Sequence, residues 1–402
     1  MRRLWDLIRS GLLWRLPVLL GMAMIAGPSI VVYGNALHRL VSGVPVYSDT
    51  ALRGVQVPAP KPSLSLDDVL SGQFSRSFVA YFGQHFPLLG PAVRAKAQLY
   101  WSVLRQSPAW YITIGRNRTL FETEYIEEYC SRDLVAFTPV AEDWAAKLAE
   151  VQRWYAVRGK LFVYLLTPSK AAVEPENLPA GWPCPAGQAD REGLHAAYRA
   201  ILDRAGVNVA DSIETTHAAK REYPFPPFPR TGIHFNTVSA ARAAQAVIDA
   251  VNRASSWRRM DDLSFTWHMA PPNEVDTDLL DALNIPRPGP PVLAPDITVT
   301  TPLAPSCHPV LMAQVGGSFA YQVNKAMQRL PCPPRVDLYE YFKNTMAFYP
   351  GDTRFPVDPK RRSWMLLDAA EVVVLEENEQ IAPRSDHGLA FYELVREQMG
   401  VP

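Results

Sequence analysis

The chain has no surplus of charge of either sign: 40 Lys and Arg stand against 40 Asp and Glu, a formal net charge of +0. Nucleic-acid-binding proteins ordinarily show a basic excess or patch, so that class of partner is set aside. Cysteine is scarce, with four in 402 residues. Cys130, Cys184, Cys307 and Cys332 show no C-x-x-C spacing, which removes zinc ribbons and thioredoxin-like motifs, and no metal is assigned. A glycine-rich phosphate-binding motif is missing too, and no cofactor is assigned. Internal repeats and low-complexity segments do not occur.

What is there is a globular composition, 48% hydrophobic, long enough for one large domain or two ordinary ones. The 37 prolines gather in 57–62, 224–229 and 286–295, which reads as extended, loop-like chain. At the N-terminus Arg2, Arg3, Arg9 and Arg15 precede an uncharged apolar run over 16–33. At 1.5 Å per residue such a run covers most of a bilayer core of about 30 Å. The basic flank keeps residues 1–15 cytoplasmic, makes 16–34 a single transmembrane anchor and exports the rest. A cleaved signal peptide ending near 34–36 is the competing reading. Export permits disulfides, and of the three connectivities 130 with 184 and 307 with 332 is preferred.

Residues 35–65 read as a linker. From 66 to 104 the pattern is helical, with Phe74, Phe78, Tyr81, Phe82 and Phe86 taken as core aromatics. A short hairpin follows over 110–121, then a helix over 141–158 and a buried strand over 160–166. Further segments repeat helix, glycine and short strand: a helix over 191–205, a strand over 207–211, a helix over 238–251, a strand before Gly316, and a strand over 371–376. A helix over 389–399 closes the chain. That alternation is the signature of an α/β fold with a parallel sheet and crossover helices. The region 255–305 yields one short helix, 276–283, and a proline-rich loop.

The candidate chemistry centres on the run Pro309 to Phe319. An apolar strand is cut by Gly316 and Gly317, then Ser318 opens a helical stretch. Strand, tight turn and helix is how an α/β fold lifts a nucleophile to the carboxyl edge of its sheet. His234, just ahead of a helix, is the candidate base. Either feature alone is equally a turn or a helix cap.

Several short motifs, in order, resemble the periplasmic alginate O-acetyltransferase family of the AlgJ and AlgX type, whose folds are SGNH-hydrolase-like. They are the hairpin Ile114-Gly115 to Phe121, Thr167-Pro168-Ser169-Lys170, Pro175 to Pro179, and Asp211 after a short strand. Gly232-Ile233-His234-Phe235, Gly316-Gly317-Ser318-Phe319 and Val373 to Glu376 complete the set. The chain departs from the family at three positions: Gly232 replaces the triad aspartate, Gly317 replaces the aspartate of G-D-S, and Phe235 replaces a tryptophan. Ser318 and His234 must therefore act as a dyad or borrow an acid. Asp211, Glu376 and Glu379 are candidate supporting acids. Gly317, Lys170 and Asn344 are candidate oxyanion or substrate contacts.

The resemblance implies one SGNH-hydrolase-like acetyltransferase domain over 66–402. It also implies an acyl-enzyme on Ser318 that passes acetyl to a sugar hydroxyl. It implies a membrane-bound O-acyltransferase partner as acetyl donor, and alginate, cellulose or another exopolysaccharide as substrate. The expected location is the bacterial inner membrane with the domain in the periplasm. Two alternatives stand beside this: a non-catalytic structural or polymer-binding component of a secretion complex, and a carbohydrate esterase.

Overall fold

A computed structural model describes residues 12–43, 52–54, 59, 61–84, 88–184, 191–303, 306–358 and 368–399. The chain divides into two compact units, Met1–Pro108 with Asp281–Pro288, and Ala109–Leu280 with Gly289–Pro402.

The first unit is helical. Its helices are Leu12–Ser42, Leu66–Leu70, Gln73–Gln84 and Leu89–Leu99. The expected anchor over 16–34 lies inside the first of these. Among the described residues no helix is long and apolar enough to cross a membrane, so the expected transmembrane helix is not met. Glycines at 21, 27 and 34 dilute the apolar run, and the helix carries on into polar Asn35, His38 and Arg39. The expected aromatic core is also corrected. Phe74, Phe78 and Phe82 stack on one another with centroids 5.8 and 6.0 Å apart, but no side chain of Gln73–Gln84 is buried. Spacing at i and i+4 puts rings on one face of a helix without supplying anything to cover that face. Phe86 and much of the linker lie outside the described residues.

The second unit holds the sheet. Its strands are β1 Ile112–Ile114, β2 Leu120–Glu122, β3 Leu161–Thr167, β4 Val209–Asp211, β5 Phe265–Ala270, β6 Ala294–Val299, β7 Leu311–Gly316, β8 Arg335–Glu340, β9 Thr345–Tyr349, β10 Thr353–Pro356 and β11 Val372–Asn378. Seven form one sheet in the order β10-β9-β8-β7-β11-β3-β4. From β8 to β4 neighbours run parallel, whereas β9 and β10 add an antiparallel edge. The sheet is therefore mixed rather than purely parallel. Its antiparallel edge comes from 345–356, where no strand was expected.

The central strands are apolar on both faces because helices cover both. Alternate residues of β11 enter different cores, since strand side chains point to opposite faces in turn. Val372 and Val374 join one core with β3 residues Val163 and Leu165 and the helices Thr237–Arg253 and Ser318–Met327. Val373 and Leu375 join the other with Phe162, Tyr164 and Leu166 and the helices Leu134–Ala156, Arg191–Arg204 and Asp386–Met399. The alternation continues past the apolar residues. Buried Glu377 accepts from Trp144 Nε1 at 2.9 Å, from Ser385 N at 2.7 Å, and from the Tyr164 and Ser385 hydroxyls. Glu376 turns to the other side, towards Gly317.

Both preferred disulfides are present, Cys130–Cys184 and Cys307–Cys332. The second joins the chain ahead of β7 to the chain behind Ser318–Met327, and so closes the strand–turn–helix unit at its base. A separate two-stranded ladder, β5 with β6, fills the region read as a proline-rich loop.

Candidate active site

Ser318 follows the carboxyl end of β7 and opens its helix with Gly317 as the N-cap. The glycine pair is needed for close approach, not for an unusual φ. A Cβ on Gly316 would sit 2.9 Å from the Cβ atoms of Ala320 and Glu376, and one on Gly317 would sit 3.3 Å from Cε1 of Tyr341. The Gly317 amide donates to Glu376 Oε2 at 2.7 Å, and the other carboxylate oxygen accepts from Thr167 Oγ1 at 2.5 Å. Burial raises the Glu376 pKa against those two hydrogen bonds. Glu376 is thus a buried support beneath the turn, at the place where the G-D-S motif would have carried its own acid. Gly317, expected as an oxyanion donor, has its amide committed to Glu376.

His234 lies in the loop ahead of helix Thr237–Arg253, and its ring packs against Phe319, centroid to centroid 5.1 Å. Phe319 is the residue after Ser318, so His234 packs against the first turn of the helix that Ser318 opens, and the two candidates are not hydrogen-bonded to each other. Neither the Ser318 hydroxyl nor His234 Nε2 has a hydrogen-bond partner among the described residues, and Nε2 is buried. The other ring nitrogen is engaged: Nδ1 lies 2.5 Å from Asp278 Oδ2. Asp278 is held in turn by the amides of Ile233 and Leu279, which reach its Oδ1 at 2.9 and 2.7 Å. A carboxylate on Nδ1 fixes tautomer and ring orientation and leaves Nε2 to exchange a proton with a nucleophile.

Asp278 was not among the expected acids. It sits 44 residues beyond His234, in a segment readable only as the start of a short helix. The usual place for the carboxylate is closed: a Cβ on Gly232 would meet Val275 O at 2.3 Å and Asp276 C at 3.1 Å. The backbone of 275–276 occupies that space, and the same segment delivers Asp278 from the other direction.

The acids named from sequence are elsewhere. Asp211 caps helix Ser212–Glu222 through the Glu214 amide and pairs with His195 at 2.9 Å. Burial would raise its pKa, but the His195 hydrogen bond and charge outweigh that and hold it below the usual range. Glu379 pairs with Arg191 at 3.1 Å and accepts from the Ser169 amide. Asn344 is a turn residue between β8 and β9 with φ 49°, its side-chain oxygen accepting from Tyr339. Lys170 is completely buried and donates to three backbone carbonyls, so it has no N–H left for an oxyanion or a substrate.

Around the His234–Asp278 pair stand further acids and phenols that sequence reasoning missed. Burial raises the Glu122 pKa, with the His234 charge pulling it down and Asp278 and Glu124 pushing it up. Tyr125 is raised strongly by burial, with Glu122, Tyr341 and Glu376 adding to the shift. Tyr341 stacks on His387 at 3.8 Å.

Residues 112–306 match the family model described as the SGNH hydrolase-like domain, acetyltransferase AlgX. The match spans just under half of the chain. The acetyltransferase-domain match includes His234 and Asp278 and stops short of Ser318. The O-acetyltransferase domain of Pseudomonas putida AlgJ is 20% identical with a TM-score of 0.46, over 71% of this chain and 99% of that one. Pseudomonas aeruginosa AlgX is 13% identical with a TM-score of 0.43, over 75% of this chain and 69% of that one. Bacillus cereus PatB1 with a sulfonyl adduct is 11% identical with a TM-score of 0.42, over 69% of this chain and 96% of that one. No curated protein matches the sequence.

Proposed function

We propose that this acetyltransferase domain transfers acetyl groups to the hydroxyls of an exported polysaccharide through an acyl-enzyme on Ser318. His234 takes the serine proton at Nε2, and Asp278 holds the imidazole and stabilises its charged form. The acyl-enzyme forms as the donor's leaving group accepts that proton from His234. An acceptor hydroxyl then loses its proton to His234 and attacks the acyl carbon, and as the acyl–Oγ bond breaks His234 returns that proton to Ser318. In this reading the first backbone amides of helix Ser318–Met327 and the positive end of its dipole stabilise the developing negative charge. The acetyl donor is a membrane-bound O-acyltransferase. Two disulfides suit the periplasm, where such bonds persist.

The observation that carries this reading is the 2.5 Å contact of His234 Nδ1 with Asp278 Oδ2, while Nε2 is buried and uncommitted. The non-catalytic alternative rested on the missing aspartate, and the Asp278 contact with His234 favours the catalytic reading over it. The test is acyl transfer from an activated acetyl ester by the purified chain, with mass spectrometry of the Ser318 peptide. Acetyl trapped on Ser318, lost in Ser318→Ala and His234→Ala, is the expected result. Transfer that persists in Ser318→Ala sinks the proposal. Adding sugar oligomers separates transfer from simple ester hydrolysis.

A further inference from the structure

Lys170 starts a short helix, Lys170–Val173, just beyond the carboxyl end of β3. Its Nζ donates to Leu120 O at 2.8 Å, to Pro229 O at 2.7 Å and to Gly232 O at 2.7 Å. An ammonium group has three N–H donors and no acceptor, so all three are used. The carbonyls are not scattered. Pro229 and Gly232 are the two ends of one turn, closed by Gly232 N to Pro229 O at 3.3 Å, and Leu120 is the first residue of β2. That turn is already tied to β2 by Leu120 N to Arg230 O at 2.7 Å. Gly232 is two residues ahead of His234. On the same helical turn as Lys170, Glu174 holds the chain just upstream, accepting from the Phe228 amide at 3.2 Å. Lys170 and Glu174 therefore grip residues 228–232 from below, one through carbonyls and the other through an amide.

We propose that Lys170 is a positioning residue for the reaction, and that its ammonium sets the place of the His234 imidazole through the Pro229 and Gly232 carbonyls. The inference rests on His234 being the base. A neutral amine keeps only two N–H donors and carries a lone pair, so losing the proton frees one carbonyl and turns a lone pair towards it. The freed carbonyl loses a charged donor, and where it is that of Pro229 or Gly232 the turn loses one of its two ties to Lys170. Burial pulls the Lys170 pKa down to about 8, opposed by Glu174 and Asp278, the charged groups that face it. The Phe121 ring lies 5.2 Å from Nζ on the β2 side. The switch from three donors to two thus falls within an accessible pH range.

The experiment measures kcat and KM for acyl transfer from an activated acetyl ester across pH 6 to about 10. The subjects are the full chain, Lys170→Met and Lys170→Gln, with Ser318→Ala giving the uncatalysed background and thermal melts run beside each. The wild type is expected to lose kcat above about pH 8, following Lys170. Lys170→Met should lower kcat about a hundredfold, the scale of a small misplacement of a catalytic group, with KM little changed. Lys170→Gln keeps two donors and no titrating proton, so it should fall between the two and show no alkaline loss. A wild-type profile flat to high pH, or Lys170→Met at wild-type kcat, overturns the proposal. Should neither variant fold, the wild-type profile alone decides it. Activity that survives in Ser318→Ala is a different failure, that of the Ser318 nucleophile itself.

Discussion

Asp278 Oδ2 stands 2.5 Å from His234 Nδ1, and the two residues are 44 positions apart in the chain. Replacing the carboxylate with an amide of the same shape should leave the protein folded and lower acyl transfer by roughly a thousandfold to ten-thousandfold. The measurement is kcat for Asp278→Asn beside Asp211→Asn and the wild type. Asp211→Asn should stay near wild type, because Asp211 serves His195 and a helix cap. Equal losses in both variants would remove the special place of Asp278.

Restoring the family aspartate at 232 should fail. The Cβ alone would stand 2.3 Å from Val275 O, so Gly232→Asp and even Gly232→Ala force the 275–276 backbone outward and carry Asp278 with it. Overpacking of this kind costs about 1–3 kcal/mol. Urea unfolding should show that loss together with a fall in kcat.

Removing Glu376 should weaken both stability and catalysis. Glu376→Ala strands the Gly317 amide and the Thr167 hydroxyl in a buried place, at a cost of about 1–3 kcal/mol per unsatisfied group. Glu376→Gln can still accept from Gly317 and donate to Thr167, so it should keep most of both. Urea midpoints and initial rates on the two variants check the ordering.

The pair His195 and Asp211 gives a pH window. His195 is raised above its ordinary 6.5, by the Asp211 hydrogen bond and charge against burial. Its contribution is therefore complete below 6.5 and lost as pH rises through the folded value. Asp211 is lowered below its ordinary 3.8, so its contribution is complete above 3.8 and lost as pH falls through the folded value. Both are present together between those two ordinary values. His195→Gln should cost most stability in that interval, and melts from acid to neutral pH should show the difference shrinking at either end.

Opening the Cys307–Cys332 bridge, which closes 25 residues, should cost about 2–4 kcal/mol. Cys307→Ser with Cys332→Ser should melt lower than the wild type, and acyl transfer should fall with it if the base of the strand–turn–helix unit is loosened. An unchanged melting temperature would show that the core fixes this unit without the bridge.

The strand–turn–helix unit that carries Ser318 was legible because a buried strand, two glycines and a helix are local signals, each within a dozen residues. His234 was legible for the same reason, standing just before the alanine-rich helix that packs behind it. The supporting acid was not. Its partner is set by how the 275–278 segment crosses behind Gly232, and that is a tertiary fact with no periodicity to betray it. Lys170 was found and given the wrong task, since a lysine after a strand says nothing of what its three donors meet. The edge strands β9 and β10 were missed because five-residue and four-residue runs around Asn344 and Gly351 carry little pattern of their own. The aromatic helix Gln73–Gln84 shows the reverse error, in which pattern was present and burial was not.

Glu376 and Glu377 sit side by side at the end of β11, and their side chains leave the sheet on opposite faces. One carries the weight of the Ser318 turn, and the other anchors Trp144, Tyr164 and Ser385 on the far side. This stretch of the strand therefore acts as a common axle for the two layers that flank the sheet. The helix bearing Trp144 and the Ser318 turn thus lean on two residues joined by one peptide bond. Variants chosen far from the site, on that opposite layer, offer a way to tune the serine turn without touching any group that meets the acyl chain.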